Sequence, residues 1–329
     1  HRDRGRHQGD AQQVEDGVGR KSLLILHESY GIDCKYYKFI TNEQFTSKNS
    51  IAGEYYLENE FILVEFDEKT AEIKSMFDKK RERVVFSNKN RGNRVRFLKE
   101  DNLLEHPDTH CWEPWHIMYT GETIDEGTIE VAEIKESGPI RGCIRFVRWV
   151  QLDESMPKTE FIQEFILYSC SPLLTVRMSG KWYAKEVMVK SFFEMPFTSD
   201  YVTVEAPYGI VERPVQDNDP EKRCDRDLDS AMEDEKYREE VPEPDRYMQK
   251  WLDFSNGEQG VLFLNNGKYG YDAKPDQVGL SLMRAPLMRP ELNEIIGLGD
   301  FDFSFGIIPH NGTWKDIQAP IHAACFNNP

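Results

Sequence analysis

The chain has 329 residues, long enough to bury a sizeable core in one large all-β domain or in about two smaller ones. It carries 58 acidic against 41 basic side chains, a formal charge of -17, with no long basic stripe. That argues against nucleic acid and anionic membranes as partners and leaves neutral ligands such as sugars.

Apolar runs such as Leu23-Leu24-Ile25-Leu26 fall far short of the roughly 20 residues that cross a bilayer, so no membrane span is expected. The six cysteines (Cys34, Cys111, Cys143, Cys170, Cys224, Cys325) are far apart and form no C-x-x-C pair. They read as scattered buried thiols in a reducing compartment, which places the protein in the cytoplasm. The start, His1-Arg2-Asp3-Arg4-Gly5-Arg6, has neither a methionine nor an apolar signal region, as expected for a piece of something longer.

In chain order, residues 1–21 are polar, Gly-rich and unpatterned, and are expected to be a disordered leader. Residues 22–50 form the end of a small linking β segment, with a short strand pair over 22–40. From 51 to 329 short β-branched and aromatic runs recur between Gly, Pro, Asn and Asp, and helical periodicity is nearly absent. Strands are predicted at 55–57, 61–67, 73–78, 94–98, 128–136, 140–151, 158–168, 173–181, 186–197, 249–253 and 259–265. In 140–151 Ile144, Phe146 and Arg148 alternate with Arg145, Val147 and Trp149, so both faces carry bulky groups and both are expected to be covered. A dense mixture of charges at about 216–246 is a solvated insertion, either a short helix or a loop. These elements make an all-β fold, a large antiparallel β-sandwich preceded by a short β segment and too large for an immunoglobulin domain.

Several segments, read in order, point to a family. They are Ser29-Tyr30-Gly31-Ile32, Leu57-Glu58-Asn59-Glu60-Phe61, Gly92-Asn93-Arg94, Trp112-Glu113-Pro114-Trp115-His116-Ile117, Glu205-Ala206-Pro207-Tyr208-Gly209 and Lys250-Trp251-Leu252-Asp253. Three more close the series: Lys268-Tyr269-Gly270-Tyr271-Asp272, Leu282-Met283-Arg284-Ala285-Pro286, and Pro309-His310-Asn311-Gly312-Thr313-Trp314. Together they resemble the non-catalytic β-domain region of glycoside hydrolase family 38 α-mannosidases, across roughly nine tenths of the chain. The resemblance implies a galactose mutarotase-like supersandwich inside a retaining α-mannosidase acting on mannose-containing carbohydrate. Its aspartate nucleophile, acid/base and zinc would belong to a catalytic barrel of the same polypeptide. No segment here resembles the barrel's motifs, so no catalytic residue and no metal ligand is expected in this chain, and the fragment alone is expected to be inactive.

The resemblance sets Tyr269, Tyr271 and Arg284 on loops at the sandwich end nearest the barrel. Arg284 would either reach the substrate cleft or pair with Asp272 to pin a loop. Trp112 and Trp115 serve inter-domain packing or sugar stacking. His106-Pro107-Asp108-Thr109-His110 has zinc-ligand chemistry, but Pro107 and its neighbours make it a polar loop. His310, flanked by turn residues, reads as a structural histidine, and the pairs Glu58/Glu60 and Asp300/Asp302 as solvated strand faces. Two other readings stay open: a free-standing carbohydrate-binding module, and a mutarotase or epimerase-like enzyme on the same sandwich.

Overall fold

The computed structural model describes residues 11–15, 21–25, 50–100, 117, 119–152, 156–215, 245–289, 294–295 and 297–328. Near the start, β1 (Ala11–Glu15) pairs antiparallel with β2 (Lys21–Ile25), within the stretch read as leader and link. A five-stranded meander follows: β3 (Ala52–Gly53), β4 (Tyr56–Glu58), β5 (Ile62–Phe66), β6 (Ile73–Asp78) and β7 (Arg83–Phe86). The alternation in β5 buries Ile62, Val64 and Phe66 and turns Glu65 to solvent. The turn into β6 is fixed by Asp67, whose Oδ1 accepts from the Lys69 and Thr70 amides at 3.0 and 3.2 Å.

The remaining chain builds two large antiparallel sheets. Its strands are β8 (Arg94–Glu100), β9 (Tyr119–Ile124), β10 (Ile129–Ser137), β11 (Arg141–Val150), β12 (Thr159–Tyr168), β13 (Leu174–Trp182), β14 (Val187–Glu194), β15 (Tyr201–Ala206) and β16 (Gly209–Pro214). After the charged stretch come β17 (Arg246–Tyr247), β18 (Trp251–Ser255), β19 (Gln259–Asn265), β20 (Gly270–Lys274), β21 (Gln277–Arg284), β22 (Leu287–Arg289), β23 (Glu294–Ile295) and β24 (Gly299–Asn311), then helix α1 (Ala319–Asn327). The nine-stranded sheet runs β10-β11-β12-β13-β24-β19-β18-β15-β16, and the six-stranded sheet β17-β20-β21-β14-β8-β9.

One continuous core joins all three layers. Phe66 of the small sheet packs on Phe165 and Phe146 of the large one, with ring centroids 4.3 and 5.8 Å apart. Phe193 of the six-stranded sheet meets Phe263 and Phe305 of the nine-stranded sheet at 4.8 and 6.1 Å. Each such ring contributes about 1.5–3 kcal/mol by leaving water. A second, smaller cluster lies on the far side of the nine-stranded sheet, where Ala319 and Ala323 of α1 cover Trp251, Leu262, Leu264 and Ile308.

Structure and sequence differ in places. In β11 the Ile144, Phe146 and Arg148 face is buried, but Trp149 on the other face is 40% exposed, so cover there is incomplete. Cys143 is a buried thiol and burial pushes it up to about 12, whereas Cys170 and Cys325 are exposed, contrary to the expected burial. The stretches around Tyr271, Arg284 and His310, expected as loops, are strands β20, β21 and β24; ladder pairing to β21, β14 and β19 decides this, not local composition. Of the charged insertion only Asp245 and Arg246 lie among the described residues, and Arg246 is already in β17. Among the described residues no helix is long and apolar enough to cross a membrane.

Candidate functional site

In the six-stranded sheet Tyr271, Ala273, Val278, Leu280, Val187, Val189 and Phe193 point into the core. Alternation therefore turns Gly270, Asp272, Gly279, Ser281, Lys190 and Phe192 to the opposite face. Registry sets them in two rows across three strands. Asp272 is opposite Gly279, which is opposite Phe192, and in the next row Ser281 is opposite Lys190. A Cβ at Gly279 would lie 2.6 Å from the Asp272 carboxylate and 2.8 Å from the Phe192 ring, so only glycine admits both side chains.

Into this depression Lys190 sends its ammonium. Lys190 is 1% exposed and donates to Asp245 at 2.5 Å and to Asp272, and Ser281 donates its hydroxyl to Asp245. Two carboxylates thus share one buried cation. Burial alone would push Lys190 down, but Asp272 and Asp245 hold it above the ordinary lysine value. Burial, helped by repulsion from Asp245, pushes Asp272 above the ordinary carboxylate value despite Lys190. Both shifts have one meaning: the cluster has a surplus negative charge and holds protons tightly.

Further along the same sheet, Arg284 at the end of β21 is clamped by Glu100 at the end of β8. Its Nε lies 2.7 Å from both Glu100 oxygens and its Nη2 2.7 Å from one. The Glu100 amide donates to the Glu186 carbonyl at 2.8 Å and the Glu186 amide to Ala285 at 3.2 Å, which braces the corner. Arg284 therefore pairs with Glu100, while Asp272, the partner named from sequence, binds Lys190.

The other sequence-derived residues fall in different settings. Tyr269 is 55% exposed just before β20, and its carbonyl accepts from the Met248 amide at 2.8 Å. Exposed Tyr247, with Arg213 over its ring at 4.5 Å, is only one residue from that contact. Tyr271 is fully buried, and Arg213 donates to its hydroxyl at 3.4 Å. Trp115 and His116, like Trp112 and the 106–110 segment, lie outside the described residues. His310 is buried, with Nε2 2.6 Å from Asp253 and Nδ1 3.1 Å from the Asn311 carbonyl, a structural histidine as its sequence context suggested, though in a strand. The paired carboxylates are surface ion pairs: Glu58 with Lys79 at 2.5 Å, Glu60 with Lys80 at 2.7 Å, and Asp300 and Asp302 with Lys181 and Arg177 at 3.7 and 2.5 Å.

The family model described as "Glycosyl hydrolases family 38 C-terminal domain" matches residues 57–291. The chain belongs to this family. Mouse "Alpha-mannosidase 2C1" is 26% identical over 216 residues, 65% of this chain and 18% of that protein. "Alpha-mannosidase G" of Dictyostelium discoideum is 24% identical over 286 residues, 85% of this chain and 23% of that protein. The chain therefore spans about a fifth of the length of these curated relatives. A solved α-mannosidase from Enterococcus faecalis V583 superposes with a TM-score of 0.68 at 15% identity, covering 98% of this chain and 38% of that one. It shares the fold.

As a family 38 C-terminal domain, the chain has a polar sheet face rich in donors and acceptors. Among the described residues no group of three or more His, Cys, Asp and Glu could hold a metal ion, so these residues do not fit a zinc centre. Lys190, Asp245 and Glu100 were missed by sequence reasoning. The available signal was Lys190 itself, one cation inside the apolar strand Val187-Met188-Val189-Lys190-Ser191-Phe192-Phe193.

Proposed function

We propose that the chain is the structural and substrate-shaping β-domain of a larger retaining α-mannosidase. The nucleophile, the acid/base and a zinc ion would lie in a catalytic barrel elsewhere in the same polypeptide. The observation that carries this reading is the family 38 C-terminal match over residues 57–291 in a chain only about a fifth as long as its α-mannosidase relatives. Retention needs two carboxyl groups about 5 Å apart across the scissile bond. The carboxylate pairs Glu58/Glu60 and Asp300/Asp302 are instead ion-paired with lysine and arginine, which supports a supporting role for this part.

In this reading Arg284 and Tyr269 face the barrel and the mannose-containing substrate; Trp115, also named from sequence, lies outside the described residues. Glu100 fixes the guanidinium plane of Arg284 and so holds that side chain in one orientation at the corner of the sheet. Tyr271 is buried in the core and reaches this side only through its hydroxyl, which accepts from Arg213 at 3.4 Å. The thiols Cys143, Cys170 and Cys325 are free, which suits a reducing cytoplasmic setting.

The test is hydrolysis of an aryl α-mannoside by this chain and by the full-length parent. The parent should turn over and the chain alone should not; turnover by the chain alone would overturn the assignment. Arg284→Ala combined with Glu100→Gln, so that no buried carboxylate is stranded, should lower kcat/KM of the folded parent about tenfold, equivalent to about 1.4 kcal/mol. An unchanged kcat/KM removes Arg284 from the substrate side.

A further inference from the structure

A cleft of about 500 Å3 opens on the small sheet, between the β3–β4 hairpin turn and the turn that Asp67 fixes after β5. Small-ligand sites run from about 300 to 1,000 Å3. Register builds its floor. Gly53 is opposite Tyr56, Tyr56 opposite Glu65 and Glu65 opposite Ser75, one row across β3, β4, β5 and β6 on the face turned away from the core. Neighbours in such a row stand with Cβ atoms about 4.5–5.5 Å apart, so an aromatic ring and a carboxylate adjoin on one rigid sheet.

The walls are held in place by the protein itself. The Tyr56 ring lies across β3, where a Cβ at Gly53 would run into it, and stays 39% exposed. Tyr55 beside it sits at φ 63°, a left-handed conformation that strains a tyrosine. Its carbonyl accepts from the Phe66 amide at 2.8 Å and its ring stacks on Phe146 of the core with centroids 6.4 Å apart. Glu65 accepts from the Ser75 hydroxyl at 2.5 Å. A register shift opposite Glu65 and Phe66 leaves Lys74 as an extra residue of β6, and it lines the cleft. Asp67 is occupied by the Lys69 and Thr70 amides and by Arg91 at 3.1 Å, whereas the side chains of Glu54, Glu68, Lys69 and Lys74 have no partner among the described residues.

The lining mixes signs. With Asp67 neutralised by Arg91, the carboxylates of Glu54, Glu65 and Glu68 face the ammonium groups of Lys69 and Lys74. An anion would meet the carboxylates and a cation the lysines. A neutral polyol is served by both, because its hydroxyls donate to the carboxylates and accept from the ammoniums. The exposed Tyr56 ring adds a platform for an apolar C–H face. Many hydroxyls, no charge and one apolar face together describe a pyranose.

We propose that this cleft binds one neutral hexopyranose unit, stacked on Tyr56 and hydrogen-bonded by Glu65 and Lys74. Such binding needs no catalytic barrel and is independent of the activity proposed above, so its loss and the loss of that activity are separate results.

Nitrogen-15 NMR of the purified chain, titrated with methyl α-mannopyranoside and methyl α-glucopyranoside, tests this. At least one of these neutral sugars should shift the amides of Tyr55, Tyr56, Glu65 and Lys74 saturably, with a Kd of about 1–10 mM. Tyr56→Ala should weaken that binding about tenfold and Glu65→Gln about threefold. Glucuronate and spermidine serve as charged controls and should bind these amides more weakly. Tighter binding of either control, sugar-induced shifts only elsewhere in the chain, no shift at all, or an unchanged Kd in Tyr56→Ala would overturn the proposal. The titrations of the unsubstituted chain decide it even if a variant fails to fold.

Discussion

The two large sheets cover their outer faces in opposite ways. The nine-stranded sheet places Trp251, Leu262, Leu264 and Ile308 beneath α1, an apolar seal made by the chain's own helix. The six-stranded sheet carries Lys190, Asp245, Asp272 and Ser281, with Glu100 and Arg284 at its corner. An apolar seal stabilises by leaving water; buried ions must first recover the hydration they lose and seldom gain much beyond it. A sheet that spends its outer face on fixed charges is therefore specified for orientation more than for stability. Under the proposed substrate-shaping role, such a face would hold its side chains in place beside the catalytic barrel.

Breaking the ionic side should have the largest effect. Lys190→Met strands two buried carboxylates and should cost about 3–5 kcal/mol in urea unfolding at pH 7. The deficit should shrink as pH falls toward about 4, because the stranded carboxylates can then take up protons. A deficit that stayed constant with pH would mean that the lysine acts through packing. On the apolar side Leu264→Ala should cost about 2–5 kcal/mol with no dependence on pH, since only a cavity is made. Gly279→Ala forces a methyl to 2.6 Å from Asp272 and 2.8 Å from Phe192 and should cost about 1–3 kcal/mol. A neutral Gly279→Ala would show that the carboxylate does not occupy the depression.

Legibility in the sequence divides along the same line. The strands with clean alternation could be read from residue order: β12, Thr159-Glu160-Phe161-Ile162-Gln163-Glu164-Phe165, buries every second side chain. The apolar run at 259–265 matches β19 to the residue, while the run at 186–197 extends three residues past the end of β14. The ionic face was not legible. Lys190 lies 55 residues from Asp245 and 82 from Asp272, and Glu100 lies 184 from Arg284. Sequence displays the charge types but not the register, and one step of slip would send each of these side chains to the other face. Family likeness placed Tyr269, Tyr271 and Arg284 near one another, yet only the ladder shows that Tyr271 points inward while Asp272 points out.

A gentler change sharpens the comparison through pH. Asp272 sits above its ordinary value of 3.8, so the folded chain binds that proton more tightly than the unfolded chain. Its contribution to stability is complete at acid pH and is lost as pH rises through the folded value. Asp272→Asn, leaving Lys190 and Asp245 as a one-to-one pair, should flatten the decline in urea midpoint between about pH 4 and 7. An unchanged slope would locate the surplus charge elsewhere.

The smallest effect is expected where the ion pair is wet. Arg177 and Asp302 meet at 2.5 Å with side chains 46% and 53% exposed. The Arg177 guanidinium holds Asp302 below the ordinary carboxylate range, but that pull acts through solvent. Arg177→Ala should change stability by less than about 1 kcal/mol and by less still at high salt. Geometry here is as good as at Lys190, so the two substitutions differ mainly in burial. If Arg177→Ala cost as much as Lys190→Met, burial would not be what distinguishes the ionic face. If it is nearly silent, the large Lys190 effect comes from isolating charge from water, which is the property that would let this face hold its side chains rigid against a partner.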